Sequence, residues 1–138
     1  MSVRFRAVER VNPRDLTLPN KYYPQIINGD DVTFDELAEL ISKVSSLNYG
    51  DVLGALGTLI EVIQMQLKHG RQVRLHTLGT LFLTLSGEGT DTPEDLTNSS
   101  IARTNIRFRP GKRLKRTIGI LDFEKVSNGE NGKTNTTN

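Results

Sequence analysis

Residues 106–116 read Ile-Arg-Phe-Arg-Pro-Gly-Lys-Arg-Leu-Lys-Arg, and this stretch, IRFRPGKRLKR, holds six cations and no carboxylate. Ile106 and Phe108 alternate with Arg107 and Arg109, which is the period of a half-buried strand presenting guanidinium groups on its open face. Pro110 and Gly111 divide that strand from a helix-like half. Lys112, Lys115 and Arg116, grouped around Leu114, have the spacing of the first turns of a short helix ending near Ile118, with Arg113 beside them. Two elements meeting at a Pro-Gly turn thus form one cationic surface, which suits a polyanion. The formal net charge of the chain is only +2, so this charge is local concentration and not general composition.

Upstream of this stretch the chain reads as β structure. Ile101–Arg109 is expected as one strand, with Arg103 near its start. Val73 and Leu75, then Leu78, Leu81, Leu83 and Leu85, fall in runs bounded by Thr77, Gly79 and Gly87, so Gln72–His76 and Thr80–Ser86 are expected as a hairpin pair. Between the hairpin and the last strand lies GEGTDTPEDLTNSS, where Thr92, Pro93, Glu94 and Asp95 have the pattern of a capped first turn of a brief helix.

Further back are two helices. Thr33 and Glu36 make a capping box, followed by the apolar stripe Phe34, Leu37, Leu40, Ile41 and Val44. The second helix starts at Asn48 as N-cap, with Asp51 in its first turn, and stops at Gly70. Val52, Leu53, Leu56, Leu59, Ile60, Val62, Ile63, Met65 and Leu67 surround more of it than one core stripe requires, while Gly54, Ala55 and Gly57 permit close backbone approach. A homodimer interface through Leu53, Leu56, Gly57, Ile60 and Ile63 is the preferred explanation; a helix buried centrally in one subunit is the other. At the N-terminus, Val3–Val8 and Lys21–Ile27 are expected strands of a small β extension, joined by an irregular loop containing Pro13 and Pro19. At the other end GILDFEKV adds a strand or packs over the core, and 127–138, rich in Asn, Gly and Thr, is expected as a disordered tail.

From Thr33 to Ile118 this order of elements resembles the HU and integration host factor family of bacterial histone-like DNA-binding proteins. The carrying passages are SSLNYGDV, HGRQVRLHTLGTLFL with Gly79, and RFRPGKRLK, where Phe108, Arg109, Pro110, Gly111, Lys112, Leu114 and Lys115 fill every place of the family's basic motif. The resemblance implies an α+β fold: a helical hairpin, a three-stranded antiparallel sheet and a short C-terminal helix, forming an intertwined dimer that binds duplex DNA with little sequence preference. The organisation expected is an N-terminal β extension over 1–32, an HU-like DNA-binding domain over 33–126 and the tail beyond.

Two departures from the family stand out. Its β-arm carries cations and a proline that wedges into the minor groove. Here Glu88, Asp91, Glu94 and Asp95 occupy the corresponding segment, and Pro93, near the tip, fits the first position of a helical turn better than a wedge. The second departure is the extension, whose Arg4, Arg6, Arg10 and Arg14 contact DNA or whose strands merely complete a sheet; the structural role is favoured.

The DNA contacts expected are Arg103, Arg107, Arg109, Gly111, Lys112, Arg113, Lys115 and Arg116, acting on phosphates, with helix N-terminal amides near Gly111 available to one of them. No recognition helix with groove-facing Asn, Gln and Arg is present, so base readout is not expected. The alternative is a dimeric protein-interaction module that keeps the HU scaffold and uses the acidic arm and the β extension to bind another protein. Catalysis, a metal and a cofactor are not expected. His69 and His76 have no metal-ligand spacing, no phosphate loop is present, and the chain has no cysteine. No apolar run approaches the roughly 20 residues of a membrane span, and MSVRFRAVER has no apolar signal core, so a cytoplasmic location is expected, and the resemblance implies the nucleoid.

Overall fold

Thr33 caps the first helix, α1 (Phe34–Val44), by the expected reciprocal pair: the Glu36 amide donates to the Thr33 hydroxyl at 3.3 Å, and the Thr33 amide donates to the Glu36 carboxylate at 3.0 Å. Asn48 caps α2 (Tyr49–Lys68) in turn, accepting from the Asp51 amide at 2.9 Å, and Gly70 follows its C-terminus with φ 70°. The Tyr49 hydroxyl donates to the Asp35 carboxylate at 2.7 Å, tying the two helices, and this bond holds the Tyr49 phenol above its ordinary pKa.

The computed structural model describes residues 1–127. They form two units, Met1–Asp31 with the chain from Gly119 onward, and Val32–Ile118. In the second unit, α1 packs on α2 and three strands follow: β3 (Val73–Leu75), β4 (Gly79–Gly87) and β5 (Ile101–Pro110), each antiparallel to the next. Helix α3 (Lys112–Ile118) follows β5 after one residue. In the first unit, β1 (Ser2–Arg10) lies between β2 (Lys21–Ile26), antiparallel, and β6 (Asp122–Lys125), parallel.

The strand in GILDFEKV therefore belongs with the N-terminal extension, and 119–126 does not extend the helical unit as the expected 33–126 domain would have it. Hydrogen bonding explains the placement: β1 has a free edge beside Val3 and Phe5, and Phe123 and Lys125 pair there. The tail expected over 127–138 lies, from residue 128, outside the described residues.

Burial is sparse. Among the described residues only Ala38, Val52, Leu67 and Val126 are buried apolar side chains, whereas Leu40, Ile60, Val62, Met65, Leu85 and Ile106 are all exposed.

Candidate nucleic-acid interface

The register of the β3-β4-β5 sheet sorts its side chains by face, because directly paired residues point the same way and successive residues alternate. Pairing of Leu81 with Phe108 and Val73, and of Leu83 with Ile106, collects one apolar face. The opposite face receives Arg74, Thr80 and Arg109 in one row, then Phe82 with Arg107, Thr84 with Asn105, and Ser86 with Arg103. Four guanidinium groups thus share one surface with hydroxyls, an amide and a phenyl ring, and no carboxylate lies in those rows. The Arg109 guanidinium stacks 4.8 Å from the centre of the Phe82 ring, which fixes it over the sheet and leaves its edge N–H groups to solvent.

At the end of β5 the Pro-Gly turn is held by close backbone packing. The Gly111 amide donates to the Leu78 carbonyl at 2.8 Å and the Arg113 amide to the Thr77 carbonyl at 3.4 Å. A Cβ at Gly111 would run into the Thr77 carbonyl, so any other residue forces the turn open. Gly79, with φ 153°, meets the same segment from the other side, where a Cβ would lie 2.5 Å from the Arg109 carbonyl and 2.6 Å from the Phe108 ring.

This packing starts α3 directly from the cationic strand. At 3.6 residues per turn, Lys112, Lys115 and Arg116 share one side of α3, Leu114 and Ile118 the other, and Arg113 stands between them. The expected use of helix N-terminal amides for a phosphate is corrected at Gly111 and Arg113, because the turn itself consumes both.

Sequence reasoning missed Arg74 and Phe82. The alternation Val73, Arg74, Leu75 held the signal, since an arginine between two apolar strand residues must face away from them. Of the candidate dimer residues, Leu53, Leu56, Gly57 and Ile63 are partly covered within the chain, while Ile60 is 42% exposed. Tyr49, Leu59, Val62 and Met65 on the same helix are exposed too.

The segment linking β4 to β5 contains two short 3-10 turns, Pro93–Asp95 and Asn98–Ser100, and the side chains of Glu88, Asp91, Glu94 and Asp95 are all exposed. Pro93 occupies the first helical position as expected. Thr92 makes no capping bond, however, because the three-residue turn closes at once through the Leu96 amide and the Pro93 carbonyl. At the base of the arm a groove of about 380 Å³ is lined by Leu85, Leu96 and Ile101 together with Glu88 and Asn98. Among the described residues there is no group of three or more His, Asp or Glu placed to hold a metal, and no helix is long and apolar enough to cross a membrane.

Comparison with known proteins agrees with this architecture. The solved structure of a "Putative bacterial DNA binding protein from Bacteroides vulgatus ATCC 8482" superposes with a TM-score of 0.64 at 12% identity, over 91% of this chain and 48% of that one. The chain thus spans about half the length of that protein. No curated protein matches the sequence. A family model described as HU-HIG, an HU domain fused to wHTH, Ig or glycine-rich motif, matches residues 1–125. With that match over nearly the whole sequence, the chain belongs to the HU-HIG family of HU-domain proteins.

Proposed function

We propose that the protein binds duplex DNA through its phosphates, with little sequence preference, as an architectural component of a bacterial nucleoid. The observation that carries this reading is the carboxylate-free face of β3-β4-β5, where Arg74, Arg103, Arg107 and Arg109 are presented together and α3 adds Lys112, Arg113, Lys115 and Arg116. Cations held on a rigid sheet neutralise backbone phosphates and release counterions, which drives binding without reading bases. The similar Bacteroides protein, named as a DNA-binding protein, supports the same partner.

The binding unit is a homodimer. A second copy would cover the apolar face of the sheet, where Ile106 is 65% and Phe108 45% exposed, and the exposed side of α2 around Ile60. The four apolar side chains buried among the described residues are too few to offset the conformational entropy of so many ordered residues.

Gel shifts on duplex DNA across salt concentrations test the reading. If a dimer engages on the order of 6 phosphates, affinity falls roughly a thousandfold between 50 and 200 mM salt. Replacing Arg109, Lys112 and Lys115 by Gln should weaken binding to all sequences alike and flatten the salt slope. Unchanged affinity in that triple variant would favour a protein-interaction module instead. That second reading rests on the groove at the arm base, whose apolar lining beside Glu88 fits an apolar side chain with a cation next to it.

A further inference from the structure

The N-terminal sheet carries a cationic face of its own. In β1, Val3, Phe5 and Ala7 alternate with Arg4, Arg6, Val8 and Arg10, and the register with β2 sets Arg6 opposite Gln25, Val8 opposite Tyr23 and Arg10 opposite Lys21. Paired residues share a face, so Arg6, Arg10 and Lys21 stand on the same side as Gln25 and Tyr23, and Pro24 and Ile26 stand on the other with Phe5 and Ala7. Glu9, the nearest carboxylate in sequence, is on the opposite side by alternation and is engaged by the Asn20 amide at 2.9 Å. The acidic end of this face is at β6, where Glu124 pairs with Arg4 and Asp122 with Ser2.

Three features distinguish this patch from a merely solvated strand surface. Arg10 directly opposes Lys21, a like-charge pair that weakens the sheet and has no compensating carboxylate in its row. The two best-defined guanidinium groups are oriented by neutral partners: Arg6 donates twice to the Gln25 carbonyl oxygen, at 3.3 and 3.2 Å, and Arg10 lies 5.4 Å from the centre of the Tyr23 ring. Neither partner is a carboxylate, and each guanidinium keeps several free N–H donors. At about 3.4 Å per residue, Arg6 and Arg10 lie about 14 Å apart along the strand, a reach spanning more than one phosphate of a nucleic-acid backbone.

We propose that the Arg6, Arg10 and Lys21 face of the β2-β1-β6 sheet is a second phosphate-contacting surface for duplex DNA, so that each unit of the chain carries a DNA-contacting face of its own. The proposal rests on the DNA-binding reading of the β3-β4-β5 face, and it assigns the extension a binding role in addition to its place in a sheet. A phosphate set between Arg10 and Lys21 removes their mutual repulsion and releases counterions, with no base readout.

The test compares the wild-type chain, an Arg6→Gln/Arg10→Gln/Lys21→Gln variant and an Arg6→Lys/Arg10→Lys variant on duplex DNA across salt concentrations. Removal of three phosphate contacts per chain lowers the salt exponent by about 3 for each chain engaged. The Lys variant, which keeps the charge, holds the wild-type slope. A Gln variant with the wild-type slope, under conditions where the Arg109, Lys112 and Lys115 variant has lost affinity, overturns this proposal and leaves the DNA-binding reading intact. Failure of the wild-type chain to bind duplex DNA overturns both. Should the Gln variant not fold, acetylation of Lys21 in the wild-type protein decides: slowing by bound duplex supports the surface, and an unchanged rate overturns it.

Discussion

The two three-stranded sheets of this chain share a design and differ in how the chain assembles them. Both alternate apolar residues with arginines, and both hold a guanidinium against an aromatic ring, Arg109 on Phe82 in one and Arg10 on Tyr23 in the other. The β3-β4-β5 sheet is built from strands consecutive in sequence and antiparallel throughout. The β2-β1-β6 sheet closes only when Asp122–Lys125 returns beside Ser2–Phe5 in parallel, across nearly the whole sequence. Local pairing asks little loop-closure entropy and forms early, whereas the distant parallel strand must be held by packing that other segments have already arranged. The β3-β4-β5 sheet should accordingly be the more robust, and the β2-β1-β6 sheet the one that loosens.

The largest effect expected falls on the helical part of the robust unit. Ile60→Glu or Leu56→Glu places a charge where a second copy would bury it, and an unpaired buried charge costs several kcal/mol. Loss of the circular dichroism signal or aggregation in light scattering is the expected outcome. A well-folded monomer at micromolar concentration would remove the homodimer and with it the cover for Ile106 and Phe108. Next in size is Gly111→Ala, where the added methyl collides with the Thr77 carbonyl. Overpacking of this kind costs about 1–3 kcal/mol. The melting temperature should fall and the salt slope should flatten, since the turn also aims α3.

The sequence made the local sheet readable and the distant one only half so. Arg107 and Arg109 alternate with Ile106 and Phe108, and Thr33, Glu36, Asn48 and Gly70 mark the helix ends by chemistry within four residues, so both strand and caps followed from short-range patterns. The partner of Phe123 did not follow. A four-residue strand such as Asp122–Lys125 carries too few alternations to name its neighbour, and its partner Val3 sits near the opposite end of the sequence. Alternation with Val73 and Leu75 gave the direction of Arg74, but only its pairing with Thr80 sets it in the row of Arg109. For the candidate site, residue types were legible early, but their convergence on one face depended on register.

Truncation after Ile118 separates the two sheets experimentally. Loss of β6 strips Ser2–Phe5 of its parallel partner and removes the buried Val126, whose burial contributes on the order of 2 kcal/mol. Hydrogen exchange should accelerate at β1 amides while β4 and β5 amides keep their protection. Equal loss in both sheets would show that the units are energetically one, and the contrast between them would fail.

The smallest effect is expected at Pro93, midway along the acidic arm that joins β4 to β5. Wedging into a minor groove costs a few kcal/mol of unstacking, which must be offset by phosphate contacts along the bent duplex. Glu88, Asp91, Glu94 and Asp95 stand exposed along this arm and would repel those phosphates, a repulsion only partly screened at physiological salt. Pro93 itself serves the backbone: it begins a 3-10 turn in which its carbonyl accepts from the Leu96 amide, a bond that alanine preserves. The arm should therefore stand off the DNA, and the protein should bend DNA less than a typical HU protein. Pro93→Ala should change affinity and bending scarcely at all, as read by energy transfer between the ends of a labelled duplex. A sharp bend that vanishes in this variant would show that the arm inserts despite its charge, and that the cationic sheet supplies enough attraction to outweigh four carboxylates.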